Sequence, residues 1–271
     1  MRVRVGCRFR HTTEGPTPTV WQVRPRIDGP HQVLRSTWAT DPDMPATSYV
    51  DRFGNGCDRL LLPAGASTVC LDAVAEVSGQ PDEVDEDAPQ VPVESVPDET
   101  LVYLLPSRFC LPDLLYDEAW ELFGSGPTGW RRVQAVCDWV HAEVRFDYQA
   151  TTPATTSFDV WQARTGVCRD FAHLAVTLCR ALNVPARYAF GYLPDIGVPP
   201  PEEPMDFCAW MEVWLGDRWW TFDPRNNQRR VGRVLIGRGR DAVDVAMLTS
   251  YGAAHLDEMT VWAEEATDPV L

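Results

Sequence analysis

Three residues in the second half of the chain are of the types that nucleophilic catalysis uses: Cys168, Cys208 and Asp223. Cys168 stands at the predicted start of a helix, two residues after Gly166, in the segment TGVCRDFAHLAVTLCRALN. Unpaired backbone N–H groups and the helix dipole favour negative charge in a first helical turn, so this position lowers the pKa of a thiol. The same N–H groups can stabilise an oxyanion. The sequence therefore predicts that Cys168 is a nucleophile.

Cys208 and Asp223 are predicted to share one face of a β-hairpin. The runs FCAWMEVWL and RWWTFDP are rich in aromatic and β-branched residues, and Gly216-Asp217 between them is typical of a two-residue hairpin loop. This register places Trp210 opposite Asp223 and makes Cys208 a diagonal neighbour of Asp223, with Cβ atoms about 7–8 Å apart or slightly less. A histidine at such a position can bind the carboxylate with one nitrogen and face a thiol with the other.

These segments resemble the core of the bacterial transglutaminase-like superfamily, which are papain-type thiol enzymes. In that family the cysteine opens its helix in a GVCRDFAH-type motif, a histidine precedes Ala-Trp in an HAW-type strand, and the aspartate lies in an FDP-type motif. The resemblance implies that Cys168 is the nucleophile and Asp223 the orienting carboxylate. The FGNG turn at 53–56 and the segment GRGRDAVDVAMLTSYG resemble the β-domain and the tail of one bacterial branch.

The fold that the resemblance implies is α+β. A papain/transglutaminase-like core, in which the helix bearing Cys168 packs on an antiparallel sheet, is expected behind an N-terminal β-sandwich. The sheet is expected to contain strands 186–192, 207–215 and 218–223.

One position departs from the family pattern, because Cys208 stands where the family has histidine. The ordinary pKa of a thiol is about 8.5, against about 6.5 for histidine. A thiol also has a single titratable atom, so it cannot bind a carboxylate and act as a base at the same time. A carboxylate beside it raises the thiol pKa further. An ordinary Cys-His-Asp hydrolase is therefore not predicted, unless a histidine from elsewhere in the chain occupies the site.

Three hypotheses follow from this departure. The first is a thiol enzyme with a non-standard Cys-Cys-Asp centre, performing acyl transfer, cyclisation, or amide or thioester cleavage on a small-molecule, peptide or acyl-thioester substrate without a cofactor. The second is a catalytically inactive binding module that keeps the fold. The third is a metal or redox site, in which Cys168, Cys208 and Asp223 hold Zn²⁺ or the two thiols form a disulfide. Protein crosslinking does not follow from the resemblance, since the superfamily also includes proteases and amidases.

Further side chains are candidates for the cleft. The two tryptophans on the face of Cys208 are expected to wall it, Asp170 in the first helical turn is either a helix-end charge or functional, and Tyr192 ends the following strand. The set is Trp210, Trp214, Asp170 and Tyr192. His173 points about 140° around the helix from Cys168, which favours a structural role.

Composition limits the partners. The formal charge of −15 disfavours binding to nucleic acid. The sequence has no apolar run of the roughly 20 residues that a membrane span needs, and its first residues do not resemble a signal peptide. A cytoplasmic protein with reduced thiols and no membrane partner is therefore expected. The eight cysteines include no CxxC pair, so a zinc ribbon is not expected. The oligomeric state is not predicted.

The chain divides into three parts by composition. Residues 1–79 alternate in hydrophobicity between turn signals, which predicts the β-sandwich domain. Residues 80–99 hold eight acids, four prolines and no base, which predicts an extended, solvated linker. Residues 100–271 are predicted to be the transglutaminase-like catalytic domain with a C-terminal tail, beginning with a helix whose apolar face carries Trp130, Val133, Val136, Cys137 and Val140.

Overall fold

A computed structural model describes residues 1–199, 201 and 203–266, and its N-terminal part is built from β-strands. The strands are β1 (Arg2–Thr13), β2 (Thr17–Trp21), β3 (Gln32–Asp41), β4 (Thr47–Val50), β5 (Gly56–Leu62) and β6 (Gly65–Glu76). Alternation in β1 buries Val3, Val5, Cys7 and Phe9, while the arginines between them face outward. This alternation is the period-two pattern from which the strands were predicted.

Two strands from the end of the chain complete this sandwich. They are β13 (Leu248–Ser250) and β14 (Ala254–Glu265). β14 pairs antiparallel with β1, placing Val261 opposite Cys7, and β13 pairs with β2. One sheet therefore has the order β14-β1-β6-β3 and the other β13-β2-β5-β4. The sequence predicts a tail of the catalytic domain here. The structure instead places these strands in the N-terminal sheets, where Val261 and Ala263 are buried.

The acidic segment 80–99 is docked against the catalytic part. The backbone N–H of Trp130 donates to the Ala88 carbonyl (3.0 Å), and that of Gly216 donates to the Pro89 carbonyl (2.9 Å). The side-chain carboxylate of Asp82 forms an ion pair with Arg233 at 2.9 Å. Short 3₁₀ helices follow at Val93–Ser95, Asp98–Leu104 and Pro112–Leu114. Residues 80–92 form neither helix nor strand, and the backbone of the segment is hydrogen-bonded to the rest of the fold at several points, whereas the sequence predicts a solvated linker.

Helices surround the centre of the catalytic part. They are α1 (Tyr116–Phe123), α2 (Trp130–Glu143), α3 (Ser157–Ala163) and α4 (Cys168–Ala181). The predicted apolar face of α2 is buried, and α4 is buried over every residue from Asp170 to Ala181. Two short parallel strands, β7 (Arg145–Phe146) and β8 (Thr165–Gly166), lead into α4. None of the helices in the described part of the chain combines the length and apolarity that crossing a bilayer requires.

An antiparallel sheet lies against α4. Its strands are β9 (Ala186–Tyr192), β10 (Cys208–Leu215), β11 (Arg218–Phe222) and β12 (Val234–Gly239), in the order β11-β10-β9-β12. Leu215 pairs with Arg218 around the Gly216-Asp217 loop, as predicted, and Gly216 takes the positive φ of 63° that the loop requires. The α+β fold with a transglutaminase-like core is thereby confirmed.

The interior of this fold holds histidines that must stay neutral. Burial lowers the pKa of His173 well below its ordinary value and that of His31 to about 4. A buried neutral histidine binds no proton near pH 6, whereas the unfolded chain does, so stability is lost as pH falls below about 6.5. His173→Gln keeps an acceptor for the Ala242 N–H, which His173 Nε2 accepts at 3.1 Å.

We therefore expect the His173→Gln variant to lose less stability between pH 6.5 and 5 than the wild type. The slope of the unfolding free energy against pH should differ between the two proteins by up to about 1.4 kcal/mol per pH unit, which is the contribution of one proton. Urea unfolding at several pH values measures it. Parallel stability curves for the two proteins would contradict the assignment of His173 as a buried neutral group.

Candidate functional site

Cys168 is the first residue of α4. Val167 caps the helix, and the Asp170 carboxylate accepts the Val167 N–H at 3.0 Å. Position 166 requires glycine because the Asp170 side chain packs against it: a Cβ at this position would lie 2.6 Å from the Cβ of Asp170. The first N–H groups of a helix have no intrahelical acceptor, so those of Cys168 and Arg169 remain for a ligand or an oxyanion. The predicted position of Cys168 at a helix N-terminus is confirmed.

The thiols of Cys168 and Cys208 lie together. The pKa of Cys168 is lowered, first because the Cys208 thiol hydrogen-bonds to its sulfur, and further because of the Ala209 N–H and the charge of Arg225. The same hydrogen bond, together with burial, raises the pKa of Cys208 well above its usual value. A proton is therefore held more tightly on Cys208 than on Cys168. Each sulfur also contacts a backbone carbonyl oxygen, Cys208 that of Ala209 at 3.6 Å and Cys168 that of Phe207 at 3.9 Å. Neither sulfur is in a disulfide.

The Asp223 carboxylate is bound by Arg233 and Asn226. Its carboxylate accepts a hydrogen bond from Arg233 Nη2 (2.8 Å) and two from Asn226, through the backbone N–H (2.9 Å) and Nδ2 (2.8 Å). Burial alone raises the pKa of Asp223, but the charge of Arg233 and the bonds from Asn226 outweigh it, so that pKa is lowered. The sequence predicts that Cys168, Cys208 and Asp223 meet in one cleft. The structure brings the two sulfurs together and gives the carboxylate to Arg233.

The two sulfurs line a cavity of about 650 Å³. Its walls are mostly aromatic and aliphatic, from the loops around Tyr148 and Phe207 and from the segment 242–248. Two charged groups lie within range of Cys168: Arg225, stacked 4.3 Å over the Phe146 ring, and Asp206, whose pKa is raised by burial. The cavity therefore combines two thiols with mostly apolar walls and with six charged residues: Arg169, Asp195, Glu203, Asp206, Arg225 and Arg230.

The four predicted cleft residues lie elsewhere. Asp170 is fully buried, where it caps α4 and pairs with Arg169 at 2.9 Å. Tyr192 is a core residue whose hydroxyl donates to the Val23 carbonyl at 2.8 Å. Trp210 is buried beneath Arg233, and Trp214 packs against Trp219 at the far end of β10. None of the four is among the described residues that line the cavity. Trp210 and Trp214 lie on the same strand as Cys208, as predicted. However, Trp210 is covered by Arg233 and Trp214 packs on Trp219, so neither lines the cavity.

No displaced histidine serves the cleft among the residues that the structure describes as lining it. His173 is buried and stacks on Phe109, with ring centroids 5.2 Å apart. His11 and His31 are buried, and His255 lies on the exposed strand β14. His141 Nδ1 contacts the Arg225 carbonyl at 2.8 Å on the outside of α2. The thiol pair therefore lacks an imidazole base.

The metal hypothesis requires three ligands to converge, and in the structure they do not. Asp223 is occupied by Arg233 and Asn226, as described above. Across the described residues, no group of three or more histidine, cysteine or acidic side chains is placed to hold a metal ion. The redox variant of the hypothesis needs only the two sulfurs, which do lie together.

Four charged residues of this region were not identified from the sequence: Asp82, Asp206, Arg225 and Arg233. Asp82 was counted with the acidic linker, although it binds Arg233 through both carboxylate oxygens (3.0 and 2.9 Å). The sequence feature that indicates these residues is a local cluster of positive charge. Four arginines stand within residues 225–233, directly after the FDP motif, in a chain of formal charge −15. Such a cluster indicates that carboxylates converge on it.

The thiol pair predicts selective alkylation. At pH 7 iodoacetamide should react with Cys168 ahead of the buried cysteines, because burial raises the pKa of Cys7, Cys110 and Cys179 to about 12. Cys208→Ala removes the S–H donor, raises the pKa of Cys168 and should slow its labelling about tenfold, whereas Cys208→Ser keeps a donor and should retain part of the rate. Peptide mass mapping measures this. Equal rates in the wild type and Cys208→Ala would contradict the hydrogen bond.

The part of the chain that carries the site is similar to known proteins. Residues 121–224 match the family model of the transglutaminase-like superfamily. Among curated proteins, an uncharacterized protein of Mycobacterium leprae is 33% identical over 135 residues, which are 47% of this chain and 48% of the relative. An uncharacterized protein of Mycobacterium tuberculosis is 35% identical over 119 residues, or 40% of this chain and 38% of the relative. The chain therefore spans about half or less of the length of these relatives.

Among solved structures, a candidate cysteine protease from Cytophaga hutchinsonii matches with a TM-score of 0.90 and 28% identity, covering 100% of this chain and 92% of the other. This likeness includes the sandwich as well as the catalytic part. Residues 121–224, which include the helix that begins at Cys168 and the hairpin that carries Cys208, therefore form a domain of the transglutaminase-like superfamily, within a chain whose whole fold is similar to that of the Cytophaga hutchinsonii protein.

Proposed function

We propose that this protein is a cysteine-nucleophile enzyme that transfers or hydrolyses acyl groups through a Cys168 thiolate, with Cys208 in place of an imidazole. The observation that supports it most directly is the pair of thiols in one apolar cavity, where the hydrogen bond from Cys208 lowers the pKa of Cys168. A thiolate that forms without a base is ready to attack a carbonyl carbon.

The reaction begins when the Cys168 sulfur adds to the acyl carbon. The leaving group departs with the electrons of its bond to that carbon, and a thioester forms between the acyl group and Cys168. Water or an amine then attacks this thioester and releases the thiolate. The N–H groups at the start of α4 can stabilise the oxyanion in both steps. The Cys208 S–H can protonate the leaving group and recover its proton from the incoming nucleophile.

The absence of imidazole restricts the substrates. An amide leaving group needs a proton, and loss of a general acid–base residue typically costs about 10²–10⁴ in rate. A thioester leaves as a thiolate of pKa about 8.5 and needs little protonation. Acyl thioesters or similarly activated esters are therefore the favoured substrates, and the apolar walls of the cavity suit an apolar acyl chain.

The decisive experiment incubates the protein with a panel of acyl thioesters and measures its intact mass. We expect an acyl adduct on the wild type that is absent in Cys168→Ala. Cys179→Ala is the matched control, because Cys179 lies on the same helix but is buried in the core. Cys208→Ala should still form the adduct, but more slowly.

The absence of any adduct on the wild type, with all thioesters tested, would contradict the proposal. It would favour the binding-module hypothesis, in which the cavity holds a ligand without reacting. An adduct that formed equally on Cys168→Ala would show that another nucleophile reacts.

A further inference from the structure

One wall of the cavity around the thiols is a single stretch of chain, residues 242–248. The residues of this stretch that line the cavity are all apolar: Ala242, Val243, Val245, Ala246, Met247 and Leu248. Its charged member, Asp244, is bound to Arg240 at 2.9 Å. Cys168 packs against the same buried hydrophobic cluster as this stretch, so the thiol and the wall border one apolar space.

We infer that residues 242–248 bind the acyl chain of the substrate and set the chain length that the site accepts. The inference rests on the proposed function, because the chain in question is the one that becomes attached to Cys168. It narrows the substrate class to thioesters of unbranched acyl chains of intermediate length. It also gives the N-terminal sandwich a part in the site.

The start of the wall is fixed to the helix that carries Cys168. The Ala242 N–H donates to His173 Nε2 at 3.1 Å, and the His173 ring stacks on Phe109, which also lines the cavity. His173 is five residues after Cys168, so this anchor lies about 7.5 Å farther along the helix axis. An acyl chain that extends from the Cys168 sulfur toward the wall therefore has room for several carbon atoms.

A buried carboxylate fixes the backbone of the wall at the same end. Asp241 is fully buried, and its two oxygens accept the backbone N–H groups of Phe109 at 2.8 Å and of Val243 at 2.9 Å. A buried carboxylate is costly unless it is hydrogen-bonded, so these bonds are kept in the folded protein. They hold Phe109 and Val243, both of which line the cavity, in one arrangement.

The other end of the wall belongs to the sandwich. Leu248 is the first residue of β13 and pairs with Trp21 of β2, and the Gln22 N–H donates to the Met247 carbonyl at 3.0 Å. The stretch is therefore held by α4 at one end and by a β-sheet at the other. A wall supported in this way keeps its position when a ligand binds, which is what discrimination between chain lengths requires.

The side chains of the wall suit a hydrocarbon chain rather than a charged group. The charged residues of the cavity belong to other segments, and two of them, Arg230 and Asp195, bind each other at 2.8 Å. Burying one methylene group against apolar side chains favours binding by about fourfold. The wall can therefore select chain length through contact area alone.

The test measures how fast Cys168 is acylated, by intact mass, with a series of straight-chain thioesters from acetyl to dodecanoyl. All share N-acetylcysteamine as the leaving group, so only the acyl chain varies. In the wild type the rate constant should rise by up to about fourfold for each added methylene group. It should then fall for chains that are too long for the space in front of the wall.

Two substitutions change the space at the wall in opposite directions. Ala246→Phe fills it and should lower the ratio of the octanoyl to the acetyl rate by about tenfold or more. Met247→Ala enlarges it and should move the optimum to a longer chain. Ala66→Phe is the matched control, because Ala66 is exposed on β6 and is not among the described residues that line the cavity, so its length profile should equal that of the wild type.

The outcomes separate this inference from the proposed function. If adducts form on Cys168 at rates that do not depend on chain length, or if Ala246→Phe and Met247→Ala both keep the wild-type profile, the inference is overturned and the proposed function stands. If no thioester forms an adduct, both are contradicted. If Ala246→Phe does not fold, as circular dichroism would show, Met247→Ala alone decides by the same criterion.

Discussion

The helix α4 is buried on all of its faces, and the rest of the molecule is arranged around this constraint. A helix whose side chains are buried on every side needs cover all round, so α1, α2 and α3 pack on one part of it and the sheet of β9 and β10 on another. Only its first turn, at Cys168, opens to a cavity. Cys168 is therefore held in a fixed position by a rigid element, and the backbone N–H groups of this first turn keep one orientation.

Burying this helix places charge in a dry interior, and each buried charge found there has a partner. Arg180 of α4 donates to the Ala186, Leu105 and Arg240 carbonyls, and Glu212 on β10 binds Arg187 and Arg238. An unpaired charge in such an environment costs several kcal/mol, which explains why these groups come in sets. The acidic segment 80–99 takes part in the same way, since Asp82 supplies the second carboxylate for Arg233.

The site separates tasks that an imidazole performs together. In a Cys-His-Asp centre one ring takes the proton, stabilises the thiolate and binds the carboxylate. Here Arg233 binds the carboxylate, and in the proposed function the helix N-terminus and the Cys208 thiol stabilise a Cys168 thiolate. The proton-accepting task is left without a strong group, which is the physical reason that we propose an activated acyl substrate rather than an amide.

The sequence alone determined several of the elements and the register of one hairpin. Period-two alternation gave the strands of the sandwich, helical spacing gave the buried face of α2, and the Gly216-Asp217 loop fixed how β10 pairs with β11, because each of these patterns depends on neighbours a few residues apart. The position of Cys168 at a helix start and the replacement of histidine by Cys208 are also visible in the sequence.

Only the tertiary structure decided which groups these residues meet. The partner of Asp223 is Arg233 rather than a thiol. β14, which lies late in the sequence, pairs with β1 at its start. Asp82, which also binds Arg233, comes from a segment with linker composition. Such contacts join residues that are distant in sequence, and a buried carboxylate pairs with whichever cation the folded chain brings closest, so no local pattern specifies them.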